Sequence, residues 1–181
     1  RDNVFYAHLT FLPYISSTGE LKTKPTQHSV REIRGIGIQP DAIVCRSDHD
    51  VPEDLRHKIM IHCDVPIDGV FTLPTVESIY EVPLILEQQG MGNLISDTLG
   101  LNTRESGWEG LNGWVELVQK LKEPKQALKI AVVGKYVEYP DSYISVKEAL
   151  RHAGVANNRE INIQWIHSEE VESTGAESLL S

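Results

Sequence analysis

The chain contains 181 residues, of which 40% are hydrophobic, 24% charged and 7% aromatic, a composition typical of globular proteins with one large or two small domains. Its formal net charge of −9 disfavours general binding to nucleic acid or to an acidic membrane surface, so any anion site must be local. No stretch approaches the roughly 18 consecutive apolar residues of a membrane-spanning helix, and the first residues lack the pattern of a secretory signal peptide. We therefore expect a cytoplasmic protein.

Short β-rich runs alternate with helical patterns over the first 80 residues, which is typical of βαβ units around a parallel sheet. Strands are predicted over residues 4–13, 42–46 and 69–73, and helices over 26–34, 52–62, 75–89 and 93–99. Thr26 is the predicted N-cap of the first helix and Pro52 lies in the first turn of the second. Pro83 falls inside the third pattern, where it predicts a kink.

A different pattern follows over residues 102–128, where apolar side chains recur at helical spacing and predict a connecting helix that ends at Pro124. These side chains are Trp108, Leu111, Trp114, Leu117, Val118 and Leu121. A base-stacking surface is the alternative, but acidic neighbours and the helical spacing favour core contacts.

A second α/β domain is predicted to begin after this connector. It contains a strand over 129–134, a helix over 142–153 with Gly154 beyond its end, a strand over 161–168 and a short acidic tail. Two strands cannot complete a sheet covered by helices on both faces. The second domain is therefore expected to be only partly represented.

Three loops are predicted to meet at the carboxyl edge of the first sheet, where open parallel sheets bind ligands. The first loop carries Lys22 and Lys24 beside the start of a helix, an arrangement suited to a phosphate chain. Lys58, in the next helix, is a further candidate cation, either within one chain or across a subunit boundary. From the residues alone, a solvated loop with a capped helix remains the alternative.

Other familiar site patterns are missing from the sequence. It has no G-x-x-x-x-G-K-[ST] loop and no G-x-G-x-x-G after a strand, so it lacks a complete triphosphate cradle. His57 and His62 are five residues apart and no carboxylate trio accompanies them, so no metal site is predicted. Cys45 and Cys63 are expected to be reduced and buried, and neither lies in a nucleophile elbow. No catalytic residue is assigned.

The segment ELKTKPTQHSVREIRGIGIQPDAIVCRSD, residues 20–48, resembles CTP synthase, a glutamine-dependent ligase that aminates UTP. The likeness continues through LRHKI, TVESIYEVP and IAVVGKYVEYPDSYISVKEAL, and is weakest over 102–127. It implies an α/β fold, with residues 1–101 as the C-terminal part of a Rossmann-like synthetase domain of the P-loop type. Residues 102–128 would be a linker, and 129–181 the first βαβ unit of a class I glutamine amidotransferase domain.

The resemblance also implies site residues. For UTP and its feedback inhibitor CTP, these are Lys22, Thr23, Lys24, Pro25, Thr26, Gln27 and Lys58. For ATP, they are Pro74, Thr75 and Val76, with Arg46 as a less certain contact. The family's phosphate-binding loop and Mg²⁺ ligands are expected before residue 1, and the glutaminase cysteine with its partners after residue 181.

Two functions are therefore expected. In the first, the chain is part of a homotetrameric enzyme that converts UTP to CTP using ATP, Mg²⁺ and ammonia from glutamine, with GTP as activator, and is inactive alone. In the second, it is a non-catalytic module that senses UTP and CTP or supports assembly. Nucleic acid and membranes are not expected as partners.

Overall fold

The computed structural model describes residues 3–101, 108–123, 125–139 and 141–180. The chain divides into two compact units, Arg1–Val115 and Glu116–Ser181. The first unit contains strands β1 (Ala7–Phe11), β2 (Tyr14–Ile15), β3 (Glu20–Leu21), β4 (Ala42–Ser47) and β5 (Val70–Pro74) and helices α1 (Lys24–Gly35), α2 (Glu53–Cys63), α3 (Val82–Gln88) and α4 (Met91–Leu99). Helix α5 (Asn112–Lys122) contains the division between the units.

Strands β1, β4 and β5 form a parallel sheet in the order β1-β4-β5. The register pairs Phe11 with Arg46 and Ser47 with Pro74, so the three strands end at the same edge. Helix α1 follows β1 and α2 follows β4, as in two consecutive βαβ units. The three predicted strands and the α/β class are confirmed for this unit.

The core of the first unit lies on both faces of β4. Ile43 and Cys45 pack on the face with Val30 of α1 and Ile59 of α2. Ala42 and Val44 pack with Phe71 on the opposite face, and partly buried side chains of α3 and α4 cover them. Because successive strand residues point to opposite faces, a continuous apolar run such as β4 is buried on both sides. Complete burial of Phe71 contributes about 1.5–3 kcal/mol.

The first predicted helix has a different start from the one expected. Helix α1 begins at Lys24 with Thr23 as N-cap and Pro25 in its first turn, so the assignment of Thr26 as N-cap is wrong. Proline favours the first turn because its fixed φ fits the helix and it needs no N–H partner there. The two-residue strands β2 and β3 pair as an antiparallel hairpin that the sequence analysis did not predict, because strands this short carry no periodic signal.

The third predicted helix is shorter than expected, and the predicted kink at Pro83 is wrong. A 3₁₀ turn covers Ile79–Glu81, and α3 then begins at Val82 with Pro83 in its first turn. Ser78 and Glu81 form a reciprocal capping box before it. This pair stops the helix from extending back to Thr75, since each side chain satisfies a backbone N–H of the other.

The connector is described from Trp108 onward, as a 3₁₀ turn over Trp108–Leu111 followed by α5. The predicted helix start after residue 102 and the predicted stop at Pro124 lie outside the described residues. Half-buried Trp114 donates its Nε1 hydrogen to the Tyr80 carbonyl at 2.6 Å, and the two rings lie 5.9 Å apart. This contact supports the core interpretation for Trp114.

The second unit contains β6 (Gln126–Gly134), α6 (Ile144–Ala156), β7 (Arg159–His167), α7 (Ser168–Thr174) and α8 (Ala176–Leu180). Strands β6 and β7 are parallel, and the tail predicted only as acidic forms the last two helices. Gly154 lies inside α6 and not beyond its end, so that prediction is wrong. A Cβ on Gly154 would lie 2.7 Å from Cγ1 of Ile161 and 2.8 Å from the Arg159 carbonyl oxygen. The glycine therefore permits close packing of α6 on β7.

Within the described ranges, no helix combines the length and apolar character needed to cross a bilayer.

Candidate functional site

The three loops predicted to share an edge do meet there. The backbone N–H of Leu12, just after β1, donates to the Arg46 carbonyl at 2.8 Å. Just after β5, Thr75 donates its backbone N–H to the Ser47 carbonyl at 3.0 Å and its hydroxyl to the Asp48 carboxylate. The loops after β4 and β5 are therefore held together by backbone and side-chain bonds.

The lysine-containing segment is positioned by the β2–β3 hairpin. The backbone N–H of Lys22 donates to the Pro13 carbonyl at 2.9 Å, so the hairpin turns the chain back to the end of β1 before α1 begins. Gln27 donates its side-chain amide to the hydroxyl of buried Thr23 at 3.1 Å. No side chain caps the start of α1, and the first-turn N–H groups of such a helix favour an anion.

Thr26 has a structural contact. Its hydroxyl is buried, with the residue only 1% exposed, and donates to Thr10 of β1 at 3.1 Å. The Thr10 hydroxyl in turn lies 4.0 Å from Sγ of Cys45 in β4. Thr26 therefore fixes the start of α1 against the sheet, while the exposed Lys24 and Pro25 precede it at the surface.

Both cysteines are free and buried, as the sequence predicts. Burial raises the pKa of the Cys45 thiol to about 12, and burial likewise raises the pKa of Cys63 to about 11. Since the thiolate is the reactive form, both side chains are inert protonated thiols at neutral pH.

A carboxylate that the sequence analysis did not single out lies among the lysines. Glu20 forms an ion pair with Lys22. The hydrogen bond from Lys22 and its charge hold the pKa of Glu20 below its usual value, and Lys58 lowers this pKa further. Lys58 on α2 is therefore within electrostatic reach of the pair in the same chain. The signal for Glu20 is its spacing, because residues two apart in an extended segment share a side.

The hairpin also contacts the loop after β4 through two rings. The ring centroids of Tyr14 and His49 lie 3.8 Å apart with their planes inclined by 31°. This contact links the segment that carries Lys22 to the loop that follows Arg46. Neither Tyr14 nor His49 was identified from the sequence, since their approach depends on the unpredicted hairpin.

The predicted ATP residues lie at the ends of β4 and β5. Arg46, Pro74 and Thr75 are exposed, and Val76 is half-buried. The bonds from Thr75 to Ser47 and Asp48 fix the loop, while the described hydrogen bonds do not join this loop directly to Lys22 or Lys24. The structure therefore places the two predicted sets at one edge, in two groups.

The described residues do not fit a Mg²⁺ centre. Mg²⁺ prefers oxygen ligands in octahedral geometry, whereas the carboxylates here are bonded to Lys22 and Thr75. In the part of the chain that the structure describes, no three His, Cys, Asp or Glu residues are grouped to hold a metal.

Residues 1–101 match a family described as "CTP synthase N-terminus". The chain is 54% identical over 180 residues to the CTP synthase of Roseiflexus castenholzii and to that of Dehalococcoides mccartyi, in each case covering 99% of this chain and 32% of the relative. It is 55% identical over 168 residues to the CTP synthase of Thermomicrobium roseum, covering 93% of this chain and 30% of the relative. The chain thus spans about a third of the length of these curated relatives.

Proposed function

Because the chain belongs to the CTP synthase family, we propose that its first unit holds a pyrimidine nucleoside triphosphate, with Lys22, Lys24 and Lys58 meeting the phosphates. The observation that carries this proposal is the start of α1, where the described residues provide no side-chain cap, with Lys24 in the first turn and Lys22 just before the helix. These groups come from a hairpin and two helices that the first sheet holds in place.

Three lysines and one carboxylate leave a formal excess of two positive charges in this cluster, in a chain whose net charge is −9. A triphosphate replaces Glu20 as the partner of Lys22 and meets the N–H groups at the start of α1. Each charge-assisted hydrogen bond contributes about 1.5–3 kcal/mol. Thr23 and Gln27 position the start of the helix through their mutual bond, and Pro25 fixes its first turn.

We propose that this site takes UTP as substrate and CTP as inhibitor at an overlapping position. The loop of Pro74, Thr75 and Val76, with Arg46 beside it, holds ATP. In the complete enzyme, ATP transfers its γ-phosphoryl group to O4 of UTP, and ammonia from glutamine then displaces phosphate at C4 to give CTP. Binding and orientation of the nucleotides are the parts of this reaction assigned to the chain.

The domain assignment is a further part of the proposal. We propose that residues 1–101 are the C-terminal part of a synthetase domain, 102–128 a linker and 129–181 the start of a glutamine amidotransferase domain. The family match supports a place for residues 1–101 in the N-terminal domain of the family, and the βαβ order of β6, α6 and β7 is compatible with an α/β domain over the last part. Assembly as a cytoplasmic homotetramer, with glutamine, GTP and Mg²⁺ used by the complete enzyme, belongs to this proposal.

The 181-residue chain alone is proposed not to make CTP. Its sequence contains no G-x-x-x-x-G-K-[ST] loop, and its described residues contain no metal-binding cluster. The same two observations favour the second candidate function, a module that binds UTP and CTP without catalysis. Turnover of UTP by the purified chain is measured as CTP formed with ATP and ammonium present. Such turnover would contradict both the proposed inactivity of the chain and the non-catalytic module.

Calorimetric titration of UTP and CTP into the full chain tests the site. The double variant Lys22→Ala, Lys24→Ala is expected to lose affinity by tenfold or more, on the order of the loss of one charge-assisted bond. Arg31→Ala is the matched control, because it removes one exposed positive charge from the same helix, α1, seven residues beyond Lys24. Unchanged affinity of the double variant, or an equal loss in the control, would contradict the assignment.

A further inference from the structure

The second unit contains a cleft of about 550 Å³ between the end of α5, one side of α6 and the beginning of β7. Lys125 lies just before β6 and Arg159 begins β7, so the cleft is at the amino ends of these strands. The strands end at Gly134 and His167, at the opposite edge. Neither the sequence patterns nor the proposed nucleotide site includes this cleft.

Five cationic side chains line the cleft: Lys122, Lys125, Lys147, Arg151 and Arg159. Two carboxylates, Glu123 and Glu160, line the cleft with them and Glu148 pairs with Arg151, which leaves a formal excess of two positive charges. Residues 116–181 contain eight Lys and Arg residues in total, so most of the positive charge of this unit is gathered here. Clustered like charges in a concave site raise its affinity for an oppositely charged solute.

The cations come from three elements whose packing fixes their positions. Lys147 and Arg151 are four residues apart on α6 and therefore share one face of the helix. Arg151 lies 3.9 Å from the nearby carboxylate of Glu148. Lys125 is half-buried and donates to the Lys120 carbonyl of α5, which holds its side chain against the end of that helix.

One wall of the cleft is apolar. Leu121, Val155, Ile161 and Ile163 are half-buried along it. The close approach at Gly154, where a Cβ would lie 2.7 Å from Ile161, brings α6 against the β7 side chains that form this wall. The cleft therefore offers two kinds of surface, a cationic rim and an apolar wall.

From these surfaces we infer that the cleft binds a small phosphate monoester that carries an apolar or aromatic group. Arginine forks and lysine ammonium groups are suited to the dianionic phosphate, and the apolar wall accommodates the organic group. The volume is within the range of about 300–1,000 Å³ for small-molecule sites. A long polyanion is disfavoured, because it would extend from the cleft over a chain with a net charge of −9.

Phenyl phosphate is the probe, titrated into the full chain at low salt by calorimetry. Lys125→Gln, Lys147→Gln is expected to weaken its binding about tenfold or more, because two charge-assisted contacts are removed. Lys129→Gln, Lys135→Gln is the matched control, since both lysines belong to the same unit but do not line the cleft. The control is expected to stay within about twofold, the residual effect of screened charge. Circular dichroism checks that each variant is folded.

Lys147 also lines a smaller recess beside Tyr143 and Trp165, so Lys125→Gln is measured alone as well. A severalfold loss on this single change supports the cleft, and an unchanged affinity overturns it. Inorganic phosphate is titrated in parallel, with weaker binding expected because it lacks the apolar group. Equal affinities for the two ligands would overturn the assigned role of the apolar wall.

Two further results would overturn the inference: no saturable binding of phenyl phosphate by the folded wild-type chain at millimolar concentration, or equal losses in both double variants. This inference does not depend on the proposed function. The residues tested lie outside the first unit, and the UTP titration uses a different ligand and different variants.

Discussion

The two units bury their parallel strands to different extents. In the first unit, Ile43 and Cys45 are fully buried on one face of β4, and Val44 is 6% exposed on the other. In the second unit, β6 is exposed or half-buried along its described length, and Val133 is 47% exposed. Helices cover both faces of β4, whereas β7 is the one strand that pairs with β6 among the described residues.

This difference shows what an apolar strand pattern means. The runs AIVC in β4 and IAVV in β6 have the same character, and both predict strands that are buried on two faces. Only the first is buried in this way. The sequence of β6 is thus typical of a strand that is buried on both faces of its sheet, whereas β7 and α6 bury it only in part. This agrees with the proposal that residues 129–181 are the start of a domain.

Truncation of a strand isoleucine to alanine in each unit should give the largest difference in the free energy of unfolding. Ile43→Ala removes a fully buried side chain and is expected to lower the free energy of unfolding by about 2–5 kcal/mol. Ile130→Ala, in β6, removes a half-buried one and is expected to cost less than about 2 kcal/mol, since part of its surface is already in water. Urea unfolding of each variant measures the cost. Equal losses of unfolding free energy in the two variants would contradict the difference in burial between β4 and β6.

A smaller contrast is expected from glycine substitutions in two helices. Gly154→Ala places a Cβ against Ile161 and the Arg159 carbonyl, and overpacking of this kind costs about 1–3 kcal/mol. Gly113→Ala, in α5, meets nothing within 4 Å and is expected to stabilise the chain by about 0.4–1 kcal/mol. Thermal unfolding distinguishes the two signs. A stabilising Gly154→Ala would mean that α6 can move away from β7 without cost.

The sequence predicted the strands better than the ends of the helices. Three strands of the first unit were found within a few residues because each is a short run rich in β-branched and aromatic residues. Thr26, Pro83 and Gly154 were misassigned for a common reason: each residue type has a familiar local role, whereas its position here depends on a tertiary contact or a neighbouring cap. Thr26 bonds to Thr10, and Gly154 packs on β7.

The candidate site was predicted in part. The shared edge follows from topology, so Lys22, Arg46 and Thr75 could be placed at it from the chain order alone. The contact between Tyr14 and His49 could not be found in this way, because it depends on the hairpin of β2 and β3, and the pairing of Glu20 with Lys22 is indicated only by their spacing. A pair of two-residue strands is set by the turn at Gly19, with φ of 67°, and not by any apolar period.

In the lysine cluster of the first unit, the carboxylate of Glu20 neutralises part of the positive charge. Removal of this carboxylate tests its effect on nucleotide binding. Glu20→Gln removes the carboxylate that pairs with Lys22 and is expected to raise UTP affinity by roughly twofold to fivefold, the scale of an exposed ion pair. Phenyl phosphate binding in the second unit should not change. Glu32→Gln, at an exposed position on α1, controls for the loss of one negative charge. Weaker UTP binding by Glu20→Gln would indicate that the carboxylate itself supports the nucleotide.

The smallest effect is expected where β1 meets α1. His8 is half-buried, its Nε2 lies 2.8 Å from the Ser29 hydroxyl, and burial lowers the pKa of the imidazole below its usual value. Because the neutral ring is favoured in the folded state, its contribution to stability is present above the unfolded pKa of about 6.5 and is lost as pH falls below it. His8→Gln should therefore flatten the fall in the unfolding free energy as the pH drops below about 6.5. A His8→Gln variant whose unfolding free energy keeps the same dependence on pH would show that burial of this imidazole is not its source.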